Sequence, residues 1–371
     1  MKNIVLITFF LIVASCQISK KENDNYHSQN TNKYATNFSI ESHSNYKIVK
    51  VHQPWKGENK TLNYILYKDE KPENIEGIFI KTPIKSIVCL SLTHLSFIEE
   101  LKETNSIVGI AGTDYVSSEK IIHKIHANQI KEIGQHEMFN YEVLTELRPD
   151  VVMAYGIDQS STAKFKKLED LQLTTVLNAE YMELHPLGKA EWIKFVAAFY
   201  NKEKLADSIF NFIESEYIKI KNSIAEVNEM PTVFTGMPWN GAWHVPGGAS
   251  FQAQFFKDAK ANYIFGNNKE ERSVIKSKEI IIDKGVNADF WLNVNAFNSL
   301  NEIIAQDEVL ANFKAIKNKK VYNNNQRITP KMGNDYWESG VINPHIILKD
   351  LIKIFHPEKI EHELVYYRQL N

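Results

Sequence analysis

Residues 188–227 read GKAEWIKFVAAFYNKEKLADSIFNFIESEYIKIKNSIAEV, a stretch without Pro or Gly after Gly188. Trp192, Phe195, Val196, Phe199, Leu205, Ile209, Phe212 and Ile213 recur in it at helical spacing. One long helix, or two in series broken near Asn201, would reach several tens of ångströms at about 1.5 Å per residue. On both sides of it, short apolar runs alternate with helical stretches. Before it, Ile87–Leu92, Ile107–Ala111, Val151–Tyr155 and Thr174–Leu177 read as strands. Helices are expected over Leu95–Glu103, Asn140–Leu147 and Ser160–Gln172, the second stopped by Arg148-Pro149. After it, Thr232–Thr235, Phe290–Val294 and Lys320–Tyr322 read as strands, with helices at Phe251–Lys257 and Ile342–Phe355. Strands alternating with helices imply parallel sheets covered on both faces.

The expected fold is therefore α/β: two Rossmann-like lobes with parallel sheets, joined by one long helix over 188–228, with a ligand cleft between the lobes. The first lobe would run over 46–187 and the second over 229–371. A β-hairpin should lead the first lobe, because Tyr46–Val51 and Leu62–Tyr67 alternate apolar and polar residues around a polar stretch with Gly57. Ile78–Ile80 is a candidate third strand. Residues 17–45 are rich in Asn, Ser, Lys and Thr and poor in aliphatics, which reads as a flexible tether.

The first sixteen residues have another character. Lys2 precedes a nearly unbroken apolar run from Ile4 to Val13. It is too short for a permanent span, which needs about 20 residues, and fits the apolar core of a signal peptide. The run ends in Val13-Ala14-Ser15-Cys16, similar to a bacterial lipobox with Cys16 as the lipidated residue; the plain alternative is an ordinary signal peptide with an incidental cysteine. Residues 1–16 are thus expected to be a lipoprotein signal peptide, placing the body in the cell envelope on the extracytoplasmic (periplasmic) side, held to the membrane by its lipid.

Composition narrows the function. The 371 residues carry 43 Lys+Arg against 45 Asp+Glu, which gives no global field for nucleic acid. An aromatic share of 11% excludes wholesale disorder. With only Cys16 and Cys89, a disulfide scaffold and a four-cysteine zinc site are excluded. No Gly-x-Ser-x-Gly elbow, His-Glu-x-x-His pair or credible nucleophile–base pair occurs, so no enzyme and no cofactor are expected. Gly247-Gly248 lacks the Gly-Lys-Ser/Thr of a phosphate loop and reads as a turn before a helix.

Four stretches, taken in order, resemble the class III substrate-binding proteins of ABC importers for iron–siderophores, haem and cobalamin. They are Ile107–Tyr115 (IVGIAGTDY), Ile133–Val152 (IGQHEMFNYEVLTELRPDVV), the long helical stretch, and Trp243–Phe265 (WHVPGGASFQAQFFKDAKANYIF). The resemblance covers about residues 84–360. It implies a monomer that holds an iron chelate or corrinoid between its lobes, with contacts from loops at the C-terminal ends of strands. It also implies that one carboxylate on each lobe meets the membrane permease dimer; Glu142 and Glu279 match those helix starts. A first-turn glutamate favouring the helix dipole is the plainer reading of both. On the cleft-facing loops, Tyr115, His136, Phe139, Trp239, Trp243, His244, Arg327 and Trp337 are the candidate ligand contacts. Aromatic walls suit a flat macrocycle or aryl chelate. Trp192 and Trp291 are expected to pack in the core. A free transition-metal ion is the alternative cargo, but no closed set of three or four convergent ligands is apparent, so no metal site is assigned. A stiff connecting helix predicts a small closure on ligand.

Overall fold

The computed structural model describes residues 32–135, 138–158, 161–239 and 242–371. The expected signal peptide, Cys16, most of the expected tether and His136 lie outside these residues.

The chain opens with a four-stranded mixed sheet, ordered β1 (Phe38–Ser42), β2 (Tyr46–Val51), β3 (Leu62–Tyr67) and β4 (Ile78–Lys81). The tether expected to run to Asn45 is thus corrected: residues 32–45 belong to the fold. Phe38 is fully buried and β1 pairs antiparallel with β2. The polar look of 33–37 has a specific cause. Its backbone N–H groups have no strand partner and go instead to two buried carboxylates. Glu191 accepts from the N–H of Lys33, Tyr34 and Ala35. Glu183 accepts from the N–H of Thr36 and Asn37, and from the Trp192 indole at 2.9 Å. The Lys194 ammonium completes the Glu191 shell at 2.8 Å. A buried carboxylate is tolerated only when its lone pairs are met in this way.

The first lobe carries β5 (Ile87–Cys89), α1 (Thr93–Glu100), β6 (Ile107–Ile110), α2 (Glu119–His126) and β7 (Lys131–Glu132). A small hairpin, β8 (Gly134–Gln135) and β9 (Met138–Phe139), leads into α3 (Tyr141–Leu147), β10 (Val151–Ala154), α4 (Ser161–Asp170) and β11 (Thr175–Leu177). Its parallel sheet has the order β11-β10-β5-β6-β7. All four residues of β10 are buried, as the uninterrupted apolar run requires.

The connection, expected as one long helix or as two in series broken near Asn201, is three helices: α5 (Pro186–Glu191), α6 (Ile193–Tyr200) and α7 (Glu203–Ser223). Asn201 sits at φ 55°, a left-handed cap that asparagine tolerates, and Lys202 N–H closes back on Ala197 O at 3.0 Å. Every residue of α6 is buried, which explains why its apolar spacing wraps the whole cylinder. Only α7, 21 residues and about 31 Å long, has the dimensions of a rod.

The second lobe contains β12 (Thr232–Thr235), β13 (Pro238–Trp239), β14 (Ala242–Val245), α8 (Phe251–Asp258), β15 (Asn262–Tyr263) and β16 (Val274–Lys276). There follow α9 (Lys278–Gly285), β17 (Phe290–Leu292), α10 (Leu300–Gln306), α11 (Lys314–Lys317), β18 (Val321–Asn323), α12 (Pro344–Phe355) and β19 (Arg368–Gln369). Its main sheet is ordered β15-β12-β17-β18-β19, parallel except for the last strand, and β13, β14 and β16 form a separate antiparallel sheet. The two α/β lobes with parallel sheets are as expected, and Trp192 and Trp291 are both fully buried.

Candidate functional site

A cleft of about 670 Å³ lies between the lobes. The first lobe supplies Ile157 and Asp158, just after β10, and Tyr181 to Leu184, after β11. The second supplies Pro246 and Ser250 to Gln252 around the start of α8, Glu271 to Ser273 before β16, and Trp337. The first-lobe contributions leave the C-terminal ends of parallel strands, where ligands bind in open α/β sheets.

Three side chains define this cleft. Trp337 is 49% exposed and stands edge-on to the buried Tyr336, with ring centroids 4.8 Å apart. The pair divides labour: Tyr336 packs beneath while Trp337 offers an indole to the opening. Arg272 spans the gap, its Nη2 2.6 Å from Met182 Sδ, and it hydrogen-bonds to Tyr181. The Tyr181 hydroxyl donates to Gly156 O. Burial pushes the Tyr181 phenol up to about 12, with Arg272 opposing the rise, so at neutral pH it is a donor. Beside the cleft, Lys189 pairs with Glu180 at 2.7 Å and lies 4.8 Å from the centre of the Phe251 ring, tying the connecting helices to both lobes.

A second interlobe gap of about 610 Å³ is walled by α1, the start of α2 and residues 327–342. Here the lobes are latched. The Glu338 carboxyl accepts from the N–H groups of Ser117 at 2.7 Å and Ser118 at 2.9 Å. Lys331 pairs with Asp114. Gly333 approaches so closely that a Cβ would sit 2.1 Å from Tyr115 O. Burial raises the Glu338 carboxyl to about 7, against the pull of the two N–H donors.

The structure separates the residues singled out from sequence. Trp337 faces the main cleft. Tyr115 and Arg327 belong to the latch side, where Arg327 Nε holds Asp335 at 3.0 Å. Trp243 is corrected: it is 2% exposed, packs at 5.9 Å on Trp291 and donates its indole N–H to Thr235 O. Strand alternation turns it inward and its neighbour His244 outward, opposite Ile275. Phe139 is corrected likewise. It is 9% exposed and packs edge-on to Tyr141 in a satellite core of the first lobe. Trp239 ends β13, with its backbone paired to Ala242. Among the described residues, no group of three His, Cys, Asp or Glu is placed to hold a metal ion, and no helix is long and apolar enough to cross a membrane.

Sequence reasoning missed Tyr181, Met182 and Arg272. Tyr181 had a readable signal, since it lies four residues after the end of a strand. Arg272 had none, because it sits in the run Asn267–Ser273 (NNKEERS), which has the composition of any surface loop.

Glu142 and Glu279 occupy equivalent places. Each is the second residue of its helix, exposed, behind an N-cap side chain: Asn140 accepts from Val143 N–H and Ser277 from Ile280 N–H. A hydrogen bond from Ser277 holds the Glu279 carboxyl below its usual range, so it stays charged.

Burial also sets an acid limit. His94 and His345 are 1% and 6% exposed, and desolvation lowers both to about 4. Their unfolded value is about 6.5, so the stability they confer is complete above that pH and is lost as pH falls towards 4. Each can cost up to about 3 kcal/mol, while the carboxyls of Glu338 and Glu100, both raised by burial, act in the opposite sense, Glu338 over roughly pH 4.5–7. The urea midpoint should therefore fall between pH 6.5 and 4, and a flat profile would show that the histidines are not buried neutral.

The two α/β lobes agree with the comparisons. The model of the periplasmic binding protein family matches residues 87–327, well over half of the chain. The protein belongs to that family. Two uncharacterized lipoproteins of Methanocaldococcus jannaschii are 25% and 27% identical, over 75% and 58% of this chain and 67% and 57% of their own. A possible iron-binding periplasmic protein of Staphylococcus epidermidis superposes with a TM-score of 0.59 at 18% identity, covering 74% of this chain and all of its own. A periplasmic haem-binding protein of Pseudomonas aeruginosa gives 0.58 at 14%, covering 78% and 98%. At those identities the two structures speak for the fold.

Proposed function

We propose that this solute-binding protein is lipid-anchored through Cys16 outside the cytoplasmic membrane. It captures a bulky metal complex (iron–siderophore, haem or corrinoid) between its lobes and delivers it, unaltered, to an ABC permease. The cleft supports this most directly. Its size is that of pockets for whole organic ligands, about 300–1,000 Å³, and a half-exposed indole faces it. A bare ion would need only a few converging donors. The lipoprotein relatives support the anchor, and the haem-binding and iron-binding structural neighbours support the cargo class.

The test is to mix the purified protein with haemin, ferric hydroxamates and cyanocobalamin and read absorbance and intact mass. Failure of every one of these to bind would sink the reading. With a ligand in hand, Trp337→Ala is expected to weaken binding about 5- to 30-fold, the loss of one stacked aromatic and its buried area. Trp239→Ala should weaken it as well, and tryptophan-quenching titrations report both. An unchanged dissociation constant for Trp337→Ala would return that ring to a purely structural role.

A further inference from the structure

The family-matched segment begins at residue 87, so the leading sheet lies outside it. The leading sheet nonetheless reaches the cleft. Thr36, Asn37, Gln53 and Lys56 line the same cavity as Trp337 and Arg272. Gln53 and Lys56 belong to the connection between β2 and β3, and both are exposed.

That connection is fixed to the first lobe by Trp55, which lies between Gln53 and Lys56. Trp55 is 8% exposed and packs at 5.5 Å on Phe165 of α4. Its indole also covers Gly156, where a Cβ would meet Trp55 Cε3 at 2.9 Å. Gly156 directly precedes Ile157 and Asp158, which line the cleft. Trp55 thus clamps the connection beside the first-lobe wall. Lys56 forms no ion pair among the described residues, and neither does Arg272 on the opposite lobe. Asp158 and Glu271 also line the cavity, so it is not uniformly positive.

We infer that the β2–β3 connection is a third wall of the ligand site, in which Gln53 and Lys56 donate hydrogen bonds to acceptor oxygens on the periphery of the ligand. They are specificity-determining residues supplied by an element that precedes the family-matched segment, with Trp55 as their positioning residue. The inference rests on the cleft being the ligand site. It predicts preference for a complex that carries peripheral carboxylate or amide oxygens over one of the same size with an apolar rim.

The test uses the full chain with Gln53→Ala and Lys56→Ala combined, both exposed positions that leave Trp55 in place. Haemin, its dimethyl ester, a ferric hydroxamate and cyanocobalamin serve as probes, read by tryptophan quenching. The double variant is expected to bind the preferred probe about 10- to 100-fold more weakly, with an unchanged thermal midpoint. If haemin is that probe, its dimethyl ester should bind the wild type more weakly, and the double variant should bind haemin and ester alike. Unchanged affinity in the double variant overturns the inference; a loss in Trp337→Ala under the same conditions would show that the cleft reading survives it. If wild-type protein binds none of the probes, both fall.

Discussion

Replacing Glu191 with alanine is expected to destabilise the protein by about 3–5 kcal/mol. The carboxylate is fully buried and accepts from three consecutive backbone N–H groups and from the Lys194 ammonium. Its removal leaves the buried Ala35 N–H and the part-buried N–H groups of Lys33 and Tyr34 unmet, and a lysine side chain that is only 9% exposed without its closest counter-charge, since Asp207 stands at 3.7 Å. Each loss costs far more than the hydrogen bond is worth net, because water cannot take the carboxylate's place. Glu191→Gln should be intermediate, since the amide retains an acceptor oxygen but cannot neutralise Lys194. Chemical denaturation with urea separates the three proteins. Equal midpoints for wild type and alanine variant would mean that the segment 33–37 is not held as described. The same variant should expose residues near Lys33 to trypsin before global unfolding.

The second large effect concerns delivery. Glu142→Ala combined with Glu279→Ala should reduce uptake of the bound complex to background, with the dissociation constant shifted by less than about two-fold. Truncating one partner of a well-paired interfacial charge typically costs about 2–5 kcal/mol, and two such losses on a two-fold partner compound. Neither residue lines the cleft, and both are exposed at helix starts whose caps do not depend on them. Uptake in cells, or in vesicles with the cognate permease, is the measurement. Normal uptake by the double variant would remove the docking role and leave the two glutamates as first-turn charges on their helix dipoles.

Much of the fold was legible, and the reasons are specific. Val151–Ala154 and Phe290–Leu292 are buried on both faces, so their sequences are unbroken apolar runs bounded by loops, the least ambiguous strand signal in a parallel sheet. β2, β3 and β12 begin and end where alternation or apolarity does. The connecting helices were harder. Asn201 was visible as a break because no apolar residue stands there. The corner at Trp192 was not, because an aromatic residue continues the apolar pattern through it. β1 was hidden because its neighbours' backbone groups are satisfied by glutamates about 150 residues away, which no local pattern records.

The cleft was less legible than the sheets. Loop position alone made both Trp243 and Trp337 candidates. Strand register then sent the indole of Trp243 into the core, while the short helical turn at Asp335–Trp337 turned that of Trp337 outward. The partners of a cleft side chain come from distant segments, as Arg272 and Tyr181 do, and their meeting is a property of the folded lobes.

The two-carboxylate clasp on residues 33–37 bears on how the molecule can move. It fastens the entering chain to the corner where the first lobe hands over to the connecting helices, through Glu183 on one side of that corner and Glu191 on the other. A fastening there acts as a splint. A wide swing at that corner would have to shear this row of part-buried and buried bonds, so under the proposed function a permease is expected to tell a full carrier from an empty one by small local displacements around the guest.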